Sequence, residues 1–242
     1  MYHFQPRPQA LPGMGAFKLF PILPGWTIEG HDDHGYGPLA RFDLSQMDPG
    51  GHVPMHPHEN DEIVTYMLQG VLRHADSAGS AHEVTPDRLM VMNAGRRFEH
   101  EEGVARGGIR AKWIQIFVRP RQADLEPGVQ IVDLPVKPRG QWRHLVGNER
   151  SGAPAFVRNE VDIYDVRSDA AELTAPAIAG RHAFVHVLEG EASLAGQALR
   201  AGEGILLRTD APAPIQTRDA TGLLLFLVAP DAPITRTGTI GR

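Results

Sequence analysis

The feature that most limits this chain is the spread of 26 glycines and 20 prolines through its 242 residues. Both are poorly tolerated inside a helix, glycine because it gives up the most backbone freedom and proline because it lacks an N–H and clashes with the preceding turn. Uninterrupted elements must therefore be short. Between the breaks lie runs rich in β-branched and aromatic residues, at 62–68, 113–118, 184–188 and 223–228. Short strands separated by glycine turns predict an all-β sandwich or barrel.

The pattern occurs twice. Thr65-Tyr66-Met67-Leu68-Gln69-Gly70 and Val185-His186-Val187-Leu188-Glu189-Gly190 each end a strand on a glycine. Each is followed by a hairpin and another apolar strand, 89–92 or 204–207. Two related β-domains are the economical reading of that repeat. Residues 134–140 carry two prolines and a glycine and make the best linker, so a boundary is expected near 135, giving domains at 1–135 and 136–242.

Composition removes several functions. The formal net charge is −5, and apart from Arg96-Arg97 the basic residues are scattered, which leaves no nucleic-acid footprint. Cysteine is absent, so disulfides, thiolate nucleophiles and cysteine metal sites are excluded, a reducing compartment is suited, and any metal must take nitrogen and oxygen ligands. The opening segment is broken by prolines and does not read as a secretory signal, and the longest apolar run, 223–229, is too short to cross a bilayer. A cytoplasmic protein without membrane association is expected.

Among 12 histidines, His56 and His58 stand out because an i, i+2 pair in an extended segment presents both imidazoles on one face. His100 and Glu102 repeat the relation further on. Two such pairs on facing strands of a small barrel would converge inside it, and three imidazoles with one carboxylate suit first-row divalent metals. Glu62 competes for the carboxylate role because it shares parity with His56 and His58, whereas Glu101 should point away from His100. The remaining histidines, His74, His144, His182 and His186 among them, carry no assignment. His182 and His186 lie four apart with no matching partner further on and read as structural or surface residues, which leaves the second domain metal-free.

His56-Pro57-His58, Glu62-Ile63-Val64-Thr65-Tyr66, Gly70, His74-Ala75-Asp76-Ser77, Gly79, Ala94-Gly95-Arg96, and His100 with Glu102 follow one another in an order that resembles the pirin family of bicupins over most of residues 20–135. Residues 113–120 resemble the strand that closes the pirin N-terminal barrel, and the second half is compatible with the family's second cupin. The resemblance implies two tandem cupin, or jelly-roll, barrels. It also implies one metal per chain held by His56, His58, His100 and Glu102, which favours Glu102 over Glu62, although the general cupin pattern of His-x-His followed by Glu points to Glu62. It implies an iron-type, Fe(II) site, while imidazole and carboxylate also accept manganese, nickel, cobalt, copper or zinc.

For some family members the resemblance implies dioxygenase activity on the flavonol quercetin, chelated at the metal, with Glu102 or Glu62 as a base. For others it implies a regulator that acts through a protein partner, and a cupin enzyme that does not use dioxygen is a further alternative. Met55, Met90 and Phe98 are candidate pocket walls, with ordinary barrel core the favoured reading of each. Two departures bear on substrate: Glu59-Asn60-Asp61 follows the second histidine, where the family commonly has a basic-aromatic stretch, and Arg97-Phe98 precedes the third, with Glu101 after it. An acidic pocket mouth is expected.

Overall fold

The computed structural model describes residues 1–242 apart from 6–8, 12–14, 23–27, 29, 137–138 and 210–212, so Lys137 and Pro138 of the expected linker lie outside the described residues. The first half contains β1 (Tyr2–Phe4), β2 (Phe17–Pro21), β3 (Leu39–Met47), β4 (His52–His58), β5 (Glu62–Gln69), β6 (Leu72–Asp76), β7 (Ala81–Val84), β8 (Arg88–Asn93), β9 (Phe98–Gly103), β10 (Ala111–Val118) and β11 (Gly128–Asp133). The second contains β12 (Arg143–Gly147), β13 (Ala155–Phe156), β14 (Val161–Ser168), β15 (Glu172–Leu173), β16 (His182–Glu189), β17 (Glu191–Leu194), β18 (Gln197–Arg200), β19 (Gly204–Leu207), β20 (Ile215–Thr217) and β21 (Thr221–Val228). All six apolar runs lie within strands. No helix among the described residues is long and apolar enough to cross a membrane.

Each half is a pair of sheets closed over its own core, and the chain is a two-cupin, all-β protein. In the first, β11-β8-β5-β10-β3-β2 packs on β4-β9-β6-β7, with Met47, Met67, Leu72, Met90 and Trp113 between them. In the second, β1-β19-β16-β21-β14-β12-β13 packs on β15-β20-β17-β18 around Val185, Leu194, Leu199, Leu223 and Leu225. The two large sheets then meet back to back through Phe42, Ile114, Phe184, Leu224 and Phe226. Phe42 meets Phe184 and Phe226 edge-on at 5.7 and 4.9 Å. This double burial explains why β21 is apolar at every position from Leu223 to Val228: odd residues fill the barrel and even ones the junction. β9 alternates strictly between buried and half-buried residues, as a strand with one covered face does.

The repeat in the sequence is a repeat of turns. Gly70 and Gly190 both sit at positive φ, +80° and +76°, and a Cβ there would meet the start of the returning strand, Ala111 or Thr221, at 3.0 Å or less. Only glycine fits both constraints.

Long-range contacts tie the halves together beyond the apolar junction. β1 pairs with β19 of the second half. The C-terminal segment returns to the first barrel, where the Thr239 N–H donates to the Glu59 carbonyl and Arg119 Nε donates to the Gly241 carbonyl at 2.6 Å.

Candidate metal site

Strand register assembles the site. β4 and β9 are antiparallel neighbours with His56 opposite His100, and β6 lies on the other side of β9 with His74 opposite Glu102 and Asp76 opposite His100. Directly opposed residues share a face with their Cβ atoms about 4.5–5.5 Å apart. The two candidate ligand pairs thus come from adjacent strands of one sheet, not from strands facing each other across the barrel, and β6 adds a third i, i+2 pair, His74 and Asp76, that the sequence left unassigned. The available signal was its parity and its place in the His74-Ala75-Asp76-Ser77 motif.

Two overlapping triads result, His56, His58 and His100, and His74, His100 and Glu102, each with its donor atoms within 4.8 Å. The His56 and His100 rings are 4.4 Å apart, and His58 lies 5.1 and 5.2 Å from them. His56, His58, His100 and Glu102 all line one cavity of about 280 Å³.

Hydrogen bonds orient the imidazoles. His56 Nδ1–H donates to the Pro54 carbonyl at 2.8 Å, and His58 Nδ1–H donates to Asp61 Oδ2 at 3.3 Å. His74 Nε2–H donates to Asp76 Oδ2 at 3.3 Å, while the other oxygen of Asp76 accepts the Ala78 and Ser80 amides at 2.9 and 3.1 Å. With that proton committed, His74 Nδ1 is an acceptor, so the 3.3 Å contact to His100 Nδ1 carries the proton of His100. All three imidazoles of the first triad therefore keep Nε2 as a bare lone pair, the arrangement of metal-ligating histidines whose other nitrogen is held by an outer partner.

The electrostatics agree with this donor set. Burial, followed by the charges of His58, His56 and His74, pushes the His100 pKa far below its ordinary value, and burial also lowers those of His56 and His74. Burial raises Glu102 to about 7. His100 Nε2 and Glu102 Oε1 are both buried without a partner. Lone pairs left bare in a buried site are costly, and a divalent cation at these atoms would satisfy them. The residues fit such an ion.

Glu62 is fully buried and occupied elsewhere. Its carboxylate accepts the Arg158 Nε–H at 2.8 Å and the Arg158 amide at 3.1 Å, together with a side-chain N–H of Asn93. Burial raises its pKa and the Arg158 guanidinium opposes that shift. Glu62 does not line the cavity. Glu101, on the opposite face from His100, meets His52 at the surface.

Of the three candidate walls, Met90 and Phe98 are the barrel core favoured from the sequence, and Met55 is neither core nor wall. Met55 has the opposite parity from His56 and is 45% exposed, while Met90 and Phe98 belong to apolar clusters of the core and do not line the cavity. The apolar walls are Phe17, Leu19, Val53, Ile63, Phe117 and Ile240. Arg41, Asp43, Ser45 and Gln115 add polar groups that the sequence reading missed. Three of them, Arg41, Asp43 and Ser45, alternate along β3 with the apolar Ala40, Phe42 and Leu44, a period-2 polar stripe. Burial raises Asp43 to about 6 despite the neighbouring Arg41, and its Oδ1 has no partner.

The acidic mouth is corrected as well. Asp61 is fully buried, because its carboxylate accepts the Ile240 and Gly241 amides at 3.0 and 2.8 Å besides the His58 proton. Glu59 does reach the surface but pairs with Arg97 at 2.9 Å. In the second half, His182 bonds to the Tyr36 hydroxyl, and His186 is buried edge-on against Phe42 at 5.0 Å, not at the surface.

Comparison with known proteins gives two family matches. The Pirin family profile matches residues 34–118, and that of the quercetinase C-terminal cupin domain matches residues 145–228. A quercetin 2,3-dioxygenase of Escherichia coli K12 is 23% identical over 197 residues, covering 81% of this chain and 84% of that protein. Among solved structures, the bacterial pirin YhhW of Escherichia coli in complex with nickel(II) superposes with a TM-score of 0.80 at 19% identity, covering 94% and 98% of the two chains. A quercetin 2,3-dioxygenase of Acinetobacter baumannii superposes with a TM-score of 0.77 at 22% identity, covering 93% and 77%.

Proposed function

We propose that this chain, which belongs to the pirin family of bicupins, is a metal-dependent dioxygenase acting on a flavonol, with one divalent ion held by His56, His58, His100 and Glu102. The observation that carries the reading is the set of unpartnered donors on one cavity, His100 Nε2 and Glu102 Oε1, beside two imidazoles whose Nδ1 protons are already committed. The nickel(II) complex of a bacterial pirin supports a divalent metal, and the names of the relatives support the substrate class. Iron is the ion the family resemblance favours. In this reading residues 1–135 carry the four ligands, Ile240 closes one wall of the cavity, and the rest of 136–242 forms a metal-free second barrel.

A bound divalent ion would supply a Lewis acid that lowers the pKa of a coordinated hydroxyl. The chain's own residues do the rest. Glu102, whose carboxylate stands at the imidazoles, accepts the hydroxyl proton of the substrate. Glu62 anchors Arg158, which leaves Glu102 as the base. Phe17, Leu19, Phe117 and Ile240 exclude water and stack against a flat ring system, while Arg41 and Asp43 give its hydroxyls a polar contact. A volume of about 280 Å³ lies at the small end of ligand pockets, which suits one compact molecule and not a polymer.

The test is dioxygen uptake by the iron-restored protein with quercetin in an oxygen electrode. Uptake that disappears with His100→Ala supports the reading. No uptake across a series of flavonols, with the metal demonstrably bound and reduced, would leave a regulator or a cupin enzyme that does not use dioxygen.

A further inference from the structure

The registers of the two large sheets make equivalent residues face one another across the junction. In the first half Ile114 on β10 stands between Tyr66 on β5 and Leu44 on β3. In the second half Leu224 on β21 stands between His186 on β16 and Asp165 on β14. Tyr66 and His186 are therefore counterparts, as are Leu44 and Asp165. One of the two cross-junction pairs is polar and complete, because the Tyr66 hydroxyl donates to Asp165 at 2.8 Å. The other would join His186 to Leu44, and leucine has no polar atom to offer.

The consequence is visible at His186. The residue is 2% exposed, and among the described residues its Nδ1 is buried without a hydrogen-bond partner, while the ring bonds to the backbone of Glu203. Burial keeps the ring neutral, pushing it down to about 3. Beside it lies a cavity of about 360 Å³, walled by Phe20, Leu44, Leu68, Ile114 and Leu188. One water needs about 30 Å³, so the space far exceeds a bridging solvent molecule. The cavity shares no lining residue with the metal site, since β2 and β3 present Phe20 and Leu44 here and Leu19, Arg41 and Asp43 on their other face.

We propose that this junction cavity binds a neutral, largely apolar small molecule through a single hydroxyl seated on His186. The backbone of Glu203 already takes the ring N–H, so the neutral imidazole leaves Nδ1 as a lone pair to which a hydroxyl can donate. A carboxylate or an ammonium would lose its hydration among walls that, in the described residues, are apolar and offer no countercharge.

The experiment uses the zinc-loaded full chain with nitrogen-15-labelled histidine and three probes, 2-naphthol, naphthalene and 2-naphthoate. 2-Naphthol is expected to move the His186 ring resonances and to bind about three- to tenfold more tightly than naphthalene, the gain of one net hydrogen bond. 2-Naphthoate should leave those resonances in place. His186→Phe should erase the preference for the hydroxyl, and Leu44→Phe, which fills the cavity, should weaken both neutral probes. If either variant fails to fold, the ring resonances of the unmodified protein decide. Resonances unmoved by 2-naphthol up to its solubility limit, or a preference that survives in His186→Phe, would overturn the proposal.

Discussion

Asp61 links the candidate metal site to the C-terminus of the chain, and replacing it by alanine should disturb both. The buried carboxylate takes the His58 Nδ1 proton and the amides of Ile240 and Gly241, and Ile240 is itself a wall of the cavity. Hydrogen bonds to a charged group contribute about 1.5–3 kcal/mol each, but amides released from the tail can turn to water, so the variant should lose about 2–4 kcal/mol and not the full sum. Loss of the group that orients a ligating imidazole typically weakens metal binding about 10- to 100-fold. Chelator competition reads the second effect, and hydrogen exchange at Ile240 and Gly241 reads the first. Asp61→Asn, which keeps one acceptor oxygen, should fall between the two. If Asp61→Ala held metal within about twofold of the unmodified protein while those amides exchanged freely, His58 would not depend on Asp61 and the coupling would be refuted.

His74→Phe should weaken metal binding by about 10- to 100-fold through the freed His100 ring, and His74→Gln, which still offers an acceptor, should recover part of it in the same competition; equal loss in both would contradict a positioning role. Arg158→Met leaves the Glu62 carboxylate buried without its guanidinium, so urea denaturation should show a loss of about 3–5 kcal/mol, with part restored by adding Glu62→Gln. His186 titrates near 6.5 when unfolded but at about 3 when folded. Between those values the unfolded chain binds the extra proton, so stability falls as pH falls through the window. His186→Phe should flatten that fall between pH 7 and pH 4.5, and parallel stability curves would contradict it.

Local periodicity made part of this molecule readable from its sequence. His56 with His58 and His100 with Glu102 obey the two-residue repeat of a strand, and Gly70 and Gly190 mark turns that only glycine can make, so the fold and the strand-face pairing of these candidate ligands could be anticipated. What stayed hidden depends on pairing between distant segments. His74 becomes a neighbour of His100 only through the register of β6 on β9, and Glu62 meets Arg158 across 96 positions of sequence. Asp61 looked like a surface acid because the amides that bury it arrive from 180 residues away. The misplaced Met55 had a local signal, since its parity is opposite to that of His56.

The central claim is that Glu102, and not Glu62, completes the ligand set with the three histidines. Chelator competition on Glu102→Gln and Glu62→Gln, each keeping the shape and removing the charge, tests it directly. Glu102→Gln should lose metal severely, because the one carboxylate grouped with these imidazoles among the described residues has lost its charge. Glu62→Gln should keep its metal to within about 10- to 100-fold, as for an outer residue. Metal lost from Glu62→Gln and retained by Glu102→Gln would contradict the account.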